Sequence, residues 1–135
     1  MIKLLKTSGL VGVLLFVLTG CGAVSVYNVQ NAPITNKDGI SLDKIYNSIK
    51  LAAYKRGWRV TQIKPGIAKA FIDVRGKHQA TVEITYNTKE YSIKYLSSSN
   101  LKYDSDNNTI HKNYNSWIKN LDRDIQLELN YNLFY

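Results

Sequence analysis

The sequence predicts an α+β domain of two layers in the order α-β-β-β-β-α, a four-stranded antiparallel meander with two helices on one face. Three observations carry this. Apolar residues recur at helical spacing over residues 42–53 and 114–129, and between those stretches they alternate with period two. The turns between the alternating runs are short, which forces consecutive strands to pair.

The first helix opens at Ser41, a side chain suited to an N-cap, with Asp43 in the first turn where the helix dipole favours an acid. Leu42, Ile45, Ile49 and Ala52/Ala53 form its apolar stripe, and Gly57 ends it as a left-handed residue. Trp58, Val60 and Gln62 then alternate with Arg59, Thr61 and Ile63 as far as the turn at Pro65-Gly66. The second strand is IAKAFIDVR (67–75), followed by a Gly76-Lys77 turn, and the third is HQATVEITY (78–86). After an Asn87-Thr88-Lys89 turn the fourth is YSIKYL (91–96). Ala80, Val82, Ile84 and Tyr86 share one face of the third strand against Thr81, Glu83 and Thr85, so the sheet is expected to be wet on one side. A polar loop over 97–108 leads to a second helix, from about Thr109 to Asn130, with the stripe Tyr114, Trp117, Ile118, Leu121, Ile125 and Leu129. Trp117 is expected to bury its ring where this helix meets the sheet.

Residues 41–135 therefore form one domain, and residues 1–20 are of another kind. Lys3 and Lys6 give a positive start, Leu10–Leu18 an apolar run, and the small residues Thr19 and Gly20 precede Cys21, the chain's only cysteine. That pattern is a secretory signal, too short for a spanning helix of about 20 residues. The ending Leu18-Thr19-Gly20-Cys21 resembles the lipobox of bacterial lipoproteins. The resemblance implies cleavage between Gly20 and Cys21, a diacylglycerol on the Cys21 thiol and an acyl chain such as palmitate on the new N-terminus. The alternative is an uncleaved anchor with an incidental buried thiol; an intrachain disulfide has no partner. Residues 21–40 read as the lipidated cysteine and a flexible tether, polar and without a period. Fully extended it reaches roughly 60 Å, so the domain would stand off the membrane. Gly22 after the cysteine lacks the aspartate that retains many enterobacterial lipoproteins at the inner membrane, which implies an outer-membrane location facing the periplasm in a Gram-negative host.

Of the 18 basic residues Lys3 and Lys6 lie in the signal, leaving 16 against 10 acidic and a net charge of +6. Outside the cytoplasm a dispersed basic balance suits an acidic envelope protein, a glycan or a lipid headgroup, and not nucleic acid; equally, it serves solubility alone. No cofactor is implied. His78 and His111 are the only imidazoles and lack a metal-ligand spacing. Asp104 and Asp106 stand in a loop with Asn107 and Asn108, without the glycine and terminal glutamate of a calcium loop.

Arg56-Gly57-Trp58, Pro65-Gly66, Arg75 with His78, YSIKY, SSNLKY and IHKNYNSWIKNL (110–121) resemble a group of small bacterial envelope lipoproteins over most of residues 41–125. The resemblance implies the architecture and the location and supplies no catalytic residue. If the long loop does not cross the domain, the meander's chain directions bring Arg56, Arg75, Lys77, His78, Asn100, His111 and Asn115 to one end, beside the N-terminus of the second helix. They read either as an anion site on the free N–H groups there, or as residues each serving its own turn or cap. The function expected is a non-catalytic, lipid-anchored binding or assembly-support module. An anionic-ligand domain and a hydrolytic or metal-dependent enzyme using His78 and His111 are the alternatives.

Overall fold

The computed structural model describes residues 22–35 and 39–134, with side chains as far as Tyr131. The signal, the Gly20–Cys21 cleavage point and the Cys21 lipid site lie outside the described residues.

The chain begins with two short strands, β1 (Ala23–Ser25) and β2 (Val29–Pro33), ahead of α1 (Leu42–Lys55). The meander follows as β3 (Trp58–Lys64), β4 (Ile67–Val74), β5 (His78–Tyr86) and β6 (Glu90–Ser99), and then β7 (Thr109–His111) and α2 (Lys112–Phe134). The class is α+β, with the main sheet in the order β2-β6-β5-β4-β3 and β1 paired with β7 in a second, two-stranded sheet. All pairings are antiparallel.

The meander is as expected, but the main sheet has five strands, because β2 pairs with β6 through Val29↔Ile93 and Ala32↔Tyr91. The stretch read as a flexible tether is thus largely part of the domain. Val29, Ile34 and Ile40 from it are buried in the core. Its asparagines bond β6: the Asn28 side-chain oxygen accepts from the Tyr95 backbone N–H at 3.0 Å, and the Asn31 backbone N–H donates to Ser92 Oγ at 2.9 Å. A strand held by asparagine side chains has no apolar alternation to reveal it.

Three other boundaries moved for local reasons. β6 runs on to Ser99, its last residues pairing with β5 as Ala80↔Ser98 and Gln79↔Ser99. A register shift between Thr81 and Val82 interrupts the alternation there. Thr109–His111 forms β7, and the helix starts only at Lys112. The C-terminal residues from Tyr131 continue α2 as far as Phe134.

The core lies between the sheet and the two helices. Its largest fully buried side chains include Trp58, Tyr91, Tyr114, Ile45, Ile49, Ile84, Ile93 and Ile110, with Ile118, Leu121, Ile125 and Leu129 from α2. Trp117 packs against this core but is only partly buried, whereas Trp58 is 1% exposed. The other face of the sheet, carrying Lys69, Thr81, Glu83, Thr85 and Lys94, is open, as the alternation predicts.

Candidate functional site

At the expected polar end hydrogen bonds link Lys77, His78, Asn100 and, through Leu101, His111, while one expected residue bonds elsewhere. The β4–β5 hairpin turns at Arg75 and Gly76, with φ of 59° and 67° and the Lys77 N–H bonded to the Val74 carbonyl at 3.1 Å. Two consecutive left-handed residues make a turn of the tight primed type, so Arg75 is a turn residue rather than the last of a strand. Asn100, itself left-handed at φ 60°, donates its side-chain N–H to the Lys77 carbonyl at 3.1 Å. His78 Nδ1 lies 2.9 Å from the Asn100 carbonyl, so this nitrogen is the donor. The next residue, Leu101, accepts the His111 N–H at 2.8 Å.

His111 caps α2. Its Nδ1 accepts the Asn113 N–H at 3.1 Å, and the Lys112 N–H is taken by the Gly22 carbonyl at 2.8 Å. The two histidines therefore hold opposite tautomers, one donating and one accepting through Nδ1. Asn115 is engaged twice, accepting the Tyr27 N–H at 3.0 Å and donating to the Ser25 carbonyl at 2.8 Å. The arrangement is that of residues serving turns and caps: the imidazoles and amides hold backbone, and two N–H groups of the helix start are already bonded.

Arg56 is the exception. Its Nε binds Asp124 at 2.5 Å, twelve residues into α2 and about 18 Å along the axis from Lys112. The bond to Arg56 holds the Asp124 carboxyl below its ordinary value. Lys55 pairs with Glu128 beside it at 2.5 Å, so the C-terminus of α1 is tied to α2 by two ion pairs. Arg56 belongs to this helix–helix clasp, because α2 crosses over the C-terminus of α1 there. Among the described residues no group of three or more His, Cys, Asp or Glu could hold a metal ion. Asp104 uses its carboxylate within its own loop, accepting from the Asn107 side chain and the Asp106 N–H. Those bonds keep its carboxyl below the usual carboxylate range.

A second feature is not among the expected residues. Between α1 and the edge strand β3 lies an open, mainly apolar concavity of about 400 Å³, lined by Asn47, Lys50, Leu51, Tyr54, Trp58 and Arg59. Leu51 and Tyr54 are 44% and 75% exposed, and they stand off the buried stripe of α1. The signal was present in the sequence: two apolar residues three apart on the helix face opposite to the core. Lys50 and Arg59 border the groove, with no acidic residue lining it. Arg59 reaches over the ring of its cross-strand neighbour Phe71 on β4, at 5.2 Å.

Among the described residues β3 has β4 on one side only, so the β3 side of this groove is a free edge of the main sheet. An edge strand presents unpaired backbone donors and acceptors, and here they adjoin exposed apolar side chains and two cations. No protein-family model, curated protein or solved structure matches the chain.

Proposed function

We propose that this protein is a lipid-anchored, non-catalytic binding module of the bacterial envelope, which takes an extended acidic segment of a partner protein along β3. Anchoring is supported by the basic start, apolar run and Leu18-Thr19-Gly20-Cys21 ending. The observation that carries the binding role is the concavity between α1 and β3. There an unpaired strand edge, the apolar side chains of Leu51 and Tyr54 and the cations Lys50 and Arg59 converge. Backbone pairing would supply affinity, and the helix-side pocket would select an apolar residue next to an acidic one. The cationic border favours an acidic strand over a second copy of this basic chain.

The test is photocrosslinking in intact cells with a reactive residue at Tyr54, compared with one at Thr85 on the open sheet face. A single partner, crosslinked through an extended acidic segment at Tyr54 and lost on Lys50→Glu with Arg59→Glu, is the expected result. Equal yields at both positions, or yields untouched by the charge reversal, would overturn the assignment of the groove.

A further inference from the structure

We propose that the end of the domain carrying Arg75, Lys77, Lys102 and Lys112 lies directly against the anionic headgroup surface of the bilayer holding the Cys21 lipid. The inference rests on the lipid-anchored part of the reading above and is independent of the β3 groove. It starts from the absence of slack. Gly22 follows Cys21, so their Cα atoms are about 3.8 Å apart. Gly22 is itself fastened, its carbonyl accepting the Lys112 N–H at 2.8 Å, and Ala23 pairs with His111. Asn115 then clamps Ser25 and Tyr27. A lipid chain on Cys21 thus brings the first turn of α2 to the headgroups, with no tether of many residues between them.

The same end carries four of the domain's cations. From His111 the backbone bond to Leu101 leads to Lys102 and Asn100, and the Asn100 side chain leads to Lys77 and the β4–β5 turn. Arg75, Lys77, Lys102 and Lys112 are all exposed. The acidic residues nearby are Asp73, exposed on β4 before the turn, and Asp104 and Asp106. Those last two sit by the Thr109 end of β7, away from Gly22, because Asp104 bridges Thr109 while Ala23 pairs with His111. Within a Debye length of about 8 Å, an anionic surface attracts such a cluster. A basic end held there by covalent linkage experiences that field at high effective concentration, so a modest attraction suffices to orient the domain.

The experiment uses the processed, lipidated chain in vesicles of phosphatidylcholine alone or with phosphatidylglycerol. Cys21 is the only natural cysteine, so Lys77→Cys or Lys89→Cys supplies a single free thiol for a fluorophore. Lys89 lies in the β5–β6 turn at the other end of the sheet. Mass measurement of the intact chain first establishes whether Cys21 carries lipid. With anionic vesicles, the probe at residue 77 should be quenched by acrylamide several-fold less than the probe at residue 89. Arg75→Gln with Lys112→Gln should abolish the difference. Lipid present but equal quenching at the two ends overturns this inference and leaves the anchoring reading intact, and so does protection that is the same in neutral vesicles. Cys21 without lipid overturns both.

Discussion

The two edges of the main sheet are built differently. β2 is five residues long, ends in Pro33 and is interrupted by a register shift between Val29 and Ala32, where Asn31 takes a left-handed φ of 54°. Short length, a bulge and a proline are the means by which an edge is kept from pairing with another chain. β3 is seven residues long and pairs with β4 in regular register from Trp58 to Gln62, with its own register shift only at the far end, between Gln62 and Lys64. Its free side borders an apolar concavity. One edge is closed by backbone irregularity and the other is left open beside a helix. The difference supports the proposal that a partner would pair with β3, where the cations Arg59 and Lys64 would restrict which strand fits.

The largest expected effect comes from removing the support of the open edge. Trp58 is fully buried at the start of β3, and Trp58→Ala should cost about 3–5 kcal/mol. Trp117→Ala, from a partly buried position, should cost clearly less. Urea midpoints of the two variants measure this, and equal midpoints would mean that β3 is not anchored by its tryptophan.

Loosening the other side of the molecule should be milder. Asn115→Ala removes both side-chain bonds to the segment between β1 and β2 and should cost about 1–3 kcal/mol. Amide hydrogen exchange should accelerate at Tyr27 and not at Val60. If both accelerate together, the N-terminal segment and β3 open as one unit, and the contrast between the edges is lost.

A smaller term lies in the clasp at the end of α1, just before β3. The Asp124 carboxyl is held below its ordinary value of 3.8 by Arg56. A lowered folded value means that its contribution is fully present above about pH 4 and is lost as pH falls through the folded value. The Arg56 and Asp124 side chains are 39% and 16% exposed, so the pair is worth at most about 1 kcal/mol. Asp124→Asn should lower stability by that amount at pH 7 and flatten the acid side of the stability curve. A variant whose acid slope equals that of the wild type would remove the clasp from the account.

The smallest effect on stability should accompany the largest on binding. Leu51 and Tyr54 are exposed beside β3, so Leu51→Lys and Tyr54→Ser should shift the denaturant midpoint by no more than about 0.5 kcal/mol equivalent. Leu51→Lys should nevertheless abolish crosslinking from position 54. A large loss of stability would show that these side chains serve the fold rather than a partner.

At the polar end expected from chain direction, hydrogen bonds link Lys77, His78 and Asn100, and His111 joins them through Leu101. Side-chain atoms of His78, Asn100, His111 and Asn115, however, are spent on backbone at a hairpin, a helix start and an N-terminal strand. A sequence shows which side chains can bond and not which backbone groups will need them. Arg56 is engaged by Asp124, a residue of α2 remote in sequence, and no local pattern records that pairing.

Local periodicity alone determined the two helices, the four-stranded meander and the face that each strand buries, because side-chain direction follows from a fixed period of 3.6 or 2. It also determined the Ser41 cap, whose oxygen accepts the Lys44 N–H at 3.2 Å. Tertiary structure decided the rest. β1, β2 and β7 have three, five and three residues, too few for a period, and exist because distant backbone pairs with them. Nonlocal pairing likewise made β3 the free edge, and made Gly22 a fixed point rather than the start of a tether. Those two outcomes, the open strand and the short leash, are where the function is proposed to lie. They depend on which distant segments meet, and periodicity carries no information about that.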